Sequence, residues 1–331
     1  MIITKTPLRI SFFGGGTDYP DYYLKHGGQT LGVAIDKYSF ITLNRLADFF
    51  DYTIKVAYSR TELAQAAEEI LHPSVRECLK HLGIQRGVEI GYAGDLPART
   101  GLGSSSSFTV GLLHALHALK GELRSHEELA NEAIHVEHAL IKERVGVQDQ
   151  FICALGGLRK VACGKDGTVR ALPVPVSATR LELLRSHLMI FYTGMRRLAH
   201  EVLDEQLSNT REGKLESELG RMAEMVDEAV ALLASERDIR EFGELLHEAW
   251  QVKRRLSSKI TNEQIDLWYE QVRRAGAVGG KLLGAGGGGF LLVFASPESQ
   301  DTVRKALADL KEVRFRFDYS GTHLVYYQAQ H

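Results

Sequence analysis

The first 60 residues alternate hydrophobic and polar positions in the manner of β-strands. Leu8, Ile10 and Phe12 fall on one face of the first run, and similar runs return at 31–35 and 40–43. Successive side chains of a strand point to opposite faces, so each run has one face suited to a core. The pattern predicts a β-rich N-terminal layer.

The middle of the chain mixes helical and strand patterns. Apolar residues recur at helical spacing between Phe108 and Leu119. The predicted helices are 61–83, with a break at His72 and Pro73, then 104–119 and 126–142. The predicted strands are 87–92, 157–162, 168–172 and 187–192.

The last part of the chain is strongly helical from residue 196 to 275 and then alternates strands with a helix. The elements predicted after residue 275 are strands at 277–283 and 289–295, a helix at 297–310, and strands at 312–318 and 322–328. The whole pattern predicts an α+β fold of two domains, 1–186 and 187–331, with a substrate cleft between them.

A glycine- and serine-rich segment, residues 96–107, runs directly into the predicted helix at 104–119. Gly101 and Gly103 free the backbone, and hydroxyls follow at 104–107. Unpaired amides at a helix N-terminus favour an anion such as a triphosphate. The segment is neither a Walker A motif nor a Rossmann fingerprint, since no lysine lies between Asp95 and Lys120. A serine-rich cap on an ordinary core helix is the alternative.

Three further clusters carry candidate chemistry. The first, Pro7–Tyr19, is a strand that ends in glycines and contains Arg9, which needs an anionic partner if it is buried. The second is a short polar element, 146–150, that follows a helix carrying Glu137. The third is the glycine run 284–289, whose ordering cost indicates a close backbone approach; an over-long turn is the alternative.

Composition narrows the possible functions. The 331 residues include 40 basic and 42 acidic side chains, and the paired arginines are typical of solvated helix faces, so nothing indicates nucleic acid or an acidic membrane. The three cysteines have no disulfide or zinc spacing, and no signal peptide or membrane span is evident. We therefore expect a soluble protein in the cytoplasm with reduced thiols.

The ordered motifs resemble the GHMP kinase superfamily, named for galactokinase, homoserine kinase, mevalonate kinase and phosphomevalonate kinase. The resemblance covers nearly the whole chain, through Pro7–Tyr19, 97–106 and the glycine run 284–289. It implies an ATP-dependent small-molecule kinase with an N-terminal domain like domain 2 of ribosomal protein S5 and a ferredoxin-like C-terminal domain.

The resemblance also implies roles for individual residues. Asp149 would accept the proton of the substrate hydroxyl, and Arg9 would orient it and neutralise developing charge. Ser105 and Glu137 would hold Mg²⁺. Glu137 as a solvated acid, and Arg9 as a structural partner of Asp149, remain alternatives. The expected ATP-binding residues are Pro97, Gly101, Leu102, Gly103, Ser104, Ser105 and Ser106. The expected structural glycine loop contains Gly284, Gly286, Gly287 and Gly288.

The substrate implied by the resemblance is a sugar. Asp18 coincides with a family aspartate that binds sugar hydroxyls, but glycines at 15 and 16 replace the Glu-His of galactokinase. That form is most similar to bacterial D-glycero-D-manno-heptose 7-phosphate kinases, which act on the anomeric hydroxyl in making activated heptose for surface polysaccharide. The expected substrate-binding residues are Gly15, Gly16, Thr17, Asp18 and Tyr19, with Thr193, Gly194 and Arg197 for the phosphate that the sugar already carries.

Three matters stay open on sequence grounds. An L-fucokinase-like or other sugar 1-kinase is the alternative enzyme, and solvated arginines are the alternative for Arg197. A sugar sensor on a kinase fold is the alternative outside enzymes, although the transfer machinery at Arg9, Ser105, Glu137 and Asp149 argues against it. The expected partners are ATP and a sugar phosphate, and a homodimer is left open.

Overall fold

The computed structural model describes residues 1–98, 100–195 and 199–328 and arranges their strands in two sheets. The larger sheet has eight strands: β1 Ile2–Phe13, β2 Gly28–Arg45, β3 Ile54–Ala57, β4 Thr61–Ala64, β5 Val88–Gly94, β6 Leu158–Cys163, β7 Val169–Pro173 and the C-terminal strand β12 His323–Tyr327. The smaller sheet has four: β8 Leu188–Tyr192, β9 Gly279–Leu282, β10 Phe290–Phe294 and β11 Lys311–Val313.

The helices of the described chain fall into two groups. Those before the smaller sheet are α1 Pro20–His26, α2 Pro73–His81, α3 Ser104–Lys120, α4 His126–His135, α5 Gln148–Leu155 and α6 Ala178–Ser186. Those after its first strand are α7 Ala199–Arg211, α8 Glu216–Leu233, α9 Arg240–Lys253, α10 Glu263–Arg274 and α11 Gln300–Ala306. Three short helical segments complete the list: 3₁₀ turns at Ala67–Glu69 and Pro297–Ser299, and a π-helical turn, Val136–Leu140, that continues α4.

The long strands follow the predicted alternation. Leu8, Ile10 and Phe12 on β1 are almost fully buried. β1 pairs antiparallel with β2, and the register shifts beside Pro7, which lacks the amide that a regular ladder needs. The strands run in the order β12-β1-β2-β5-β3-β4, with β6 on β2 and β7 on β6, while the smaller sheet runs β11-β8-β10-β9.

Several predicted elements are wrong in detail. The helix predicted from residue 61 begins only at Pro73, because 61–64 form β4, paired antiparallel with β3. Glu62 on β4 is buried and accepts hydrogen bonds from the amides of Leu71 and His72, which fixes this segment outside a helix. The helix predicted at 297–310 and the strand at 312–318 are shorter, and α1 and α6 were not predicted.

The division of the chain at residue 186 stays a prediction, with one departure in the structure. The two sheets separate along the chain near that residue, but β12 returns to pair with the outer edge of β1. The two parts also share a core, since Phe12 and Phe13 pack edge-on against Phe242 of α9, with ring centroids 5.5 and 5.1 Å away. The halves are therefore joined by apolar packing.

Replacing Phe242 by alanine tests this joint core. Because Phe242 is fully buried, Phe242→Ala should lower the free energy of unfolding by about 3 to 5 kcal/mol in urea titrations. Phe49→Ala is the matched control, since Phe49 is 93% exposed and should change stability by less than about 0.5 kcal/mol. Equal effects of the two substitutions would contradict a core shared by the two halves.

Candidate active site

A cavity of about 460 Å³ lies where β1, the N-terminus of α3, α5 and the glycine loop between β9 and β10 meet. It is lined by residues from both halves of the chain, among them Arg9, Gly103, Asp149 and Lys281. Its size is in the range of small-molecule sites. Most of the candidate residues found in the sequence lie at this cavity.

The N-terminus of α3 opens into the cavity. Gly103, with a φ of 73°, precedes the first helical residue, Ser104. The first amides of the helix therefore have no carbonyl acceptor inside the helix. Gly101, Gly103, Ser104 and Ser105 line the cavity as expected for an anion cradle. The other three predicted ATP-binding residues do not line it: Pro97, Leu102 and Ser106.

The two glycine loops pack backbone against backbone. A Cβ on Gly101 would lie 2.4 Å from the carbonyl oxygen of Leu283, and one on Gly284 would lie 2.5 Å from the Cα of Gly101. The predicted close approach is thus between these loops. Gly286 and Gly288 also line the cavity, while the Gly287 amide donates to the Ile260 carbonyl.

Arg9 and Asp149 form a buried, two-pronged ion pair. Arg9 Nε and Nη2 donate to the two oxygens of Asp149, each at 2.7 Å, and Nη1 donates to the Gly101 carbonyl at 2.7 Å. Burial alone would lower the pKa of Arg9, but the Asp149 carboxylate outweighs it and the pKa is raised. Asp149 keeps 23% of its side chain exposed, so it can be reached from the cavity. Arg9 is the structural partner of Asp149, and this role is compatible with the catalytic one.

Asp18 is the second carboxylate of the cavity. It accepts hydrogen bonds from the Gly16 amide and the Gln148 side chain, both at 3.0 Å. Burial, together with the nearby charge of Asp149, raises its pKa. Gly15, Gly16 and Tyr19 line the cavity with Asp18. Thr17 differs, because it is fully buried and its hydroxyl binds the backbone of residues 14 and 29.

Glu137 lies behind the cradle rather than in it. It sits in the π-helical turn and is fully buried, and burial raises its pKa to about 7. The sequence paired it with Ser105, but Ser106 donates to it, at 3.0 Å, with Gln150 as its second partner. Ser105 instead is exposed. Consecutive residues of a helix face different directions, which the motif alone does not resolve.

The donor set at Glu137 suits a cation that arrives with phosphate. Within the described residues Glu137 Oε1 is buried with no donor at hydrogen-bond distance, although the Thr109 hydroxyl lies near enough to lower the pKa of this carboxyl. A cation would satisfy this acceptor. In the described residues no group of three or more His, Cys, Asp or Glu could hold a metal. Mg²⁺ in phosphate sites typically takes one or two carboxylates, with substrate phosphates and water. Glu137 therefore fits as one ligand of such an ion.

Two of the three residues predicted to bind the sugar's own phosphate, Thr193 and Gly194, follow the end of β8. Thr193 donates through its amide and hydroxyl to the Gly289 carbonyl, which ties the end of β8 to the glycine loop. Neither Thr193 nor Gly194 lines the cavity. Arg197 lies outside the described residues.

Sequence reasoning missed several polar residues of the cavity, among them Gln148, Lys253 and Lys281. Gln148 was noticed only as part of a polar element. Lys281 carried a usable signal, a lone lysine in an apolar strand before the glycine run, which is the argument applied to Arg9. Lys253 did not, because it precedes an arginine pair that is typical of a solvated helix face.

The far end of the cavity is aromatic. His72 and Phe108 have ring centroids 4.8 Å apart, with Tyr58 edge-on to His72 and Tyr92 edge-on to Phe108. All four line the cavity. Such a cluster offers flat apolar faces suited to a planar ring.

Two family models match the chain, the GHMP kinases N terminal domain over residues 63–157 and the GHMP kinases C terminal domain over 229–312. They cover more than half of it, so the protein belongs to the GHMP kinases and transfers a phosphoryl group from ATP. No described helix has both the length and the apolar character needed to cross a membrane.

Individual relatives show which kinases this chain is similar to. D-glycero-alpha-D-manno-heptose 7-phosphate kinase of Campylobacter jejuni is 25% identical over 97% of this chain and 96% of its own length. L-fucokinase/L-fucose-1-P guanylyltransferase of Bacteroides fragilis is 27% identical over 92% of this chain but only 36% of its own length. The crystal structure of a D-glycero-D-manno-heptose 1-phosphate kinase from Bacteroides thetaiotaomicron shares the fold, with a TM-score of 0.78 at 20% identity, over 99% of this chain and 100% of that one.

Gly284→Ala tests the contact between the glycine loops. Gly284 has a φ of 74° and no room for a Cβ, whereas Gly121 has the same φ with open space around it. Gly121→Ala should therefore lower the free energy of unfolding by about 1 kcal/mol, and Gly284→Ala by roughly 2 kcal/mol more because a loop must move. Urea unfolding measures both. Similar losses for the two variants would show that the close approach does not constrain the fold.

Proposed function

We propose that this kinase phosphorylates the anomeric, C1 hydroxyl of a D-glycero-D-manno-heptose 7-phosphate and gives the 1,7-bisphosphate. The observation that carries the proposal is the placement of Asp149, held by Arg9, beside the α3 cradle and in one cavity with Asp18. A general base, an anion cradle and a polyol-binding carboxylate are the parts that a sugar kinase needs.

The reaction follows from these positions. Amides at the start of α3 and the glycine backbone at 101 and 103 hold the triphosphate. Asp149 accepts the proton of the C1 hydroxyl as that oxygen bonds to the γ-phosphorus, and the bond to the bridging oxygen of ADP breaks. Each carboxylate oxygen of Asp149 has a lone pair beyond the one used by Arg9. An anomeric hydroxyl is more acidic than an ordinary alcohol, so a modest base suffices.

Residues beside the cradle would bind the cation and the nucleoside. Mg²⁺ bound with ATP would be held through Glu137, and it supplies charge neutralisation on the phosphates. The aromatic end, with His72 and Phe108, would receive the adenine.

Asp18, the second carboxylate of the cavity, supports a sugar as the substrate. Both oxygens of Asp18 accept bonds that fix the carboxylate at the cavity wall, and each retains acceptor capacity for sugar hydroxyls. Gln148 Oε1 is buried, has no hydrogen-bond partner among the described residues, and adds a third acceptor. The heptose assignment rests on the glycines at 15 and 16 and on the heptose kinase relative, which matches along nearly its full length.

An L-fucokinase-like activity is the second candidate, supported by the fucokinase relatives, which match through only a third of their length. The deciding experiment is ATP consumption by the purified protein with Mg²⁺ and heptose 7-phosphate, mannose, fucose or galactose, with the product position read by phosphorus NMR. A C1 phosphate on heptose 7-phosphate is the expected result. Preference for fucose would move the substrate to the second candidate, and silence with all four sugars would favour a sensor.

Asp149→Asn separates a kinase from a sensor. Loss of the general base should lower kcat by about 10²- to 10⁴-fold, while ATP binding measured by calorimetry stays within about threefold, because the α3 cradle is untouched. Asp309→Asn, at an exposed position, is the control and should behave as the parent protein. Undiminished turnover by the Asp149 variant would remove this residue from the chemistry.

A further inference from the structure

Two lysines of the cavity have no carboxylate partner among the residues that the structure describes. Lys253, the last residue of α9, is 8% exposed, and Lys281 of β9 is 3% exposed. Lys253 Nζ donates to the carbonyls of Leu282 at 3.1 Å and Gly284 at 2.5 Å, and Lys281 Nζ donates to the carbonyl of Phe12 at 2.8 Å. Both side chains line the cavity.

These bonds leave ammonium protons unused. An ammonium group has three N–H donors, and the carbonyls account for two donors of Lys253 and one of Lys281. Within the described ranges, three donors of the pair thus lack a protein acceptor. Buried charges without partners are costly, so proteins keep them where a ligand or a counter-charge completes them.

The carboxylates of the cavity are already engaged. Both oxygens of Asp149 bind Arg9, and both oxygens of Asp18 bind Gly16 and Gln148. The other acidic residue of the lining, Glu143, is exposed. Three buried basic side chains, Arg9 and the two lysines, therefore face one buried carboxylate, Asp18, and one half-buried carboxylate, Asp149.

The lowered pKa values of both lysines agree with a site that binds an anion. Burial and the charge of Arg9 lower the pKa of Lys253 to about 7. Burial also lowers the pKa of Lys281, and repulsion from Lys253 and Arg9 adds to this effect and outweighs the attraction of Asp18. A bound anion near both amines would reverse these effects and keep both lysines charged.

The lysines lie between the two parts of the site that handle phosphate and sugar. Lys253 binds Gly284, whose backbone packs on Gly101 of the α3 cradle. One turn beyond Lys253, Leu256 lies beside Gly16 of the sugar-binding segment, 3.9 Å from where a Cβ would stand.

We propose that Lys253 and Lys281 together bind a phosphate group at the floor of the active-site cavity. The group is either the phosphate that the sugar already carries or the phosphoryl group that leaves ATP. The proposal rests on the proposed function only in taking the substrate to be a sugar phosphate; the anion site itself does not depend on which sugar is used.

Direct binding is the first test, with inorganic phosphate as the probe. Phosphate titrations followed by thermal unfolding and calorimetry compare the parent protein with Lys253→Met, Lys281→Met and the exposed control Lys305→Met. We expect at least a tenfold loss of phosphate affinity in the first two variants only. Equal affinity in all four proteins would overturn the proposal. Should either methionine variant fail to fold, the corresponding glutamine variant, of similar length, takes its place.

Kinetics distinguish the two sources. In the lysine variants, a tenfold or larger fall in the ratio of kcat/KM for heptose 7-phosphate to kcat/KM for the unphosphorylated sugar would assign the lysines to the sugar's own phosphate. A fall in kcat that is equal for both sugars would assign them to the transferred phosphoryl group. Changes below twofold in all constants would overturn both assignments. If no sugar is turned over, the proposed function fails, yet the phosphate titration still decides on the anion site.

Discussion

The structure depends on the ion pair between Arg9 and Asp149. Arg9 arises from β1 and Asp149 from α5, and the same guanidinium also holds the Gly101 carbonyl, so one side chain connects a strand, a helix and the phosphate loop. Removing one partner of a buried pair typically costs about 3 to 5 kcal/mol because the other charge stays unpaired. The proposed base of the reaction is thus held by an interaction that the fold itself needs, which couples its position to stability.

The second constraint is the absence of side chains where the two glycine loops meet. Gly101 and Gly284 approach so closely that neither could carry a Cβ. The loop that contains Gly284 then places the carbonyl that Lys253 binds, and the end of β8 is tied to the same loop through Thr193. The cavity therefore exists only when the smaller sheet is docked on the larger one, which explains why its charged residues come from both halves.

The sequence predicted what local pattern controls. The strands around Leu8 and Ile10, the helix after Gly103 and the contact made by the glycine run all follow from periodicity and backbone freedom. Strand β4 was not predicted, because its pairing with β3 is a tertiary contact that overrides a helical pattern. The sequence also did not predict the pairing of Glu137 with Ser106 or the proposed lysine site, because both depend on which face of an element turns inward after the halves pack.

Charge balance in the cavity links these features to function. A protein that buries Arg9, Lys253 and Lys281 beside only Asp18 and Asp149 must either carry an unfavourable excess of positive charge or release lysine protons as long as no anion is bound. Phosphates supply the missing negative charge, so substrate binding removes a cost that the folded chain otherwise bears. Any ligand that binds only the folded state stabilises it in proportion to its affinity. The same excess of cations favours the transfer step, in which charge spreads over the oxygens of the moving phosphoryl group. A cavity neutralised by further carboxylates would be more stable when empty and less suited to that step.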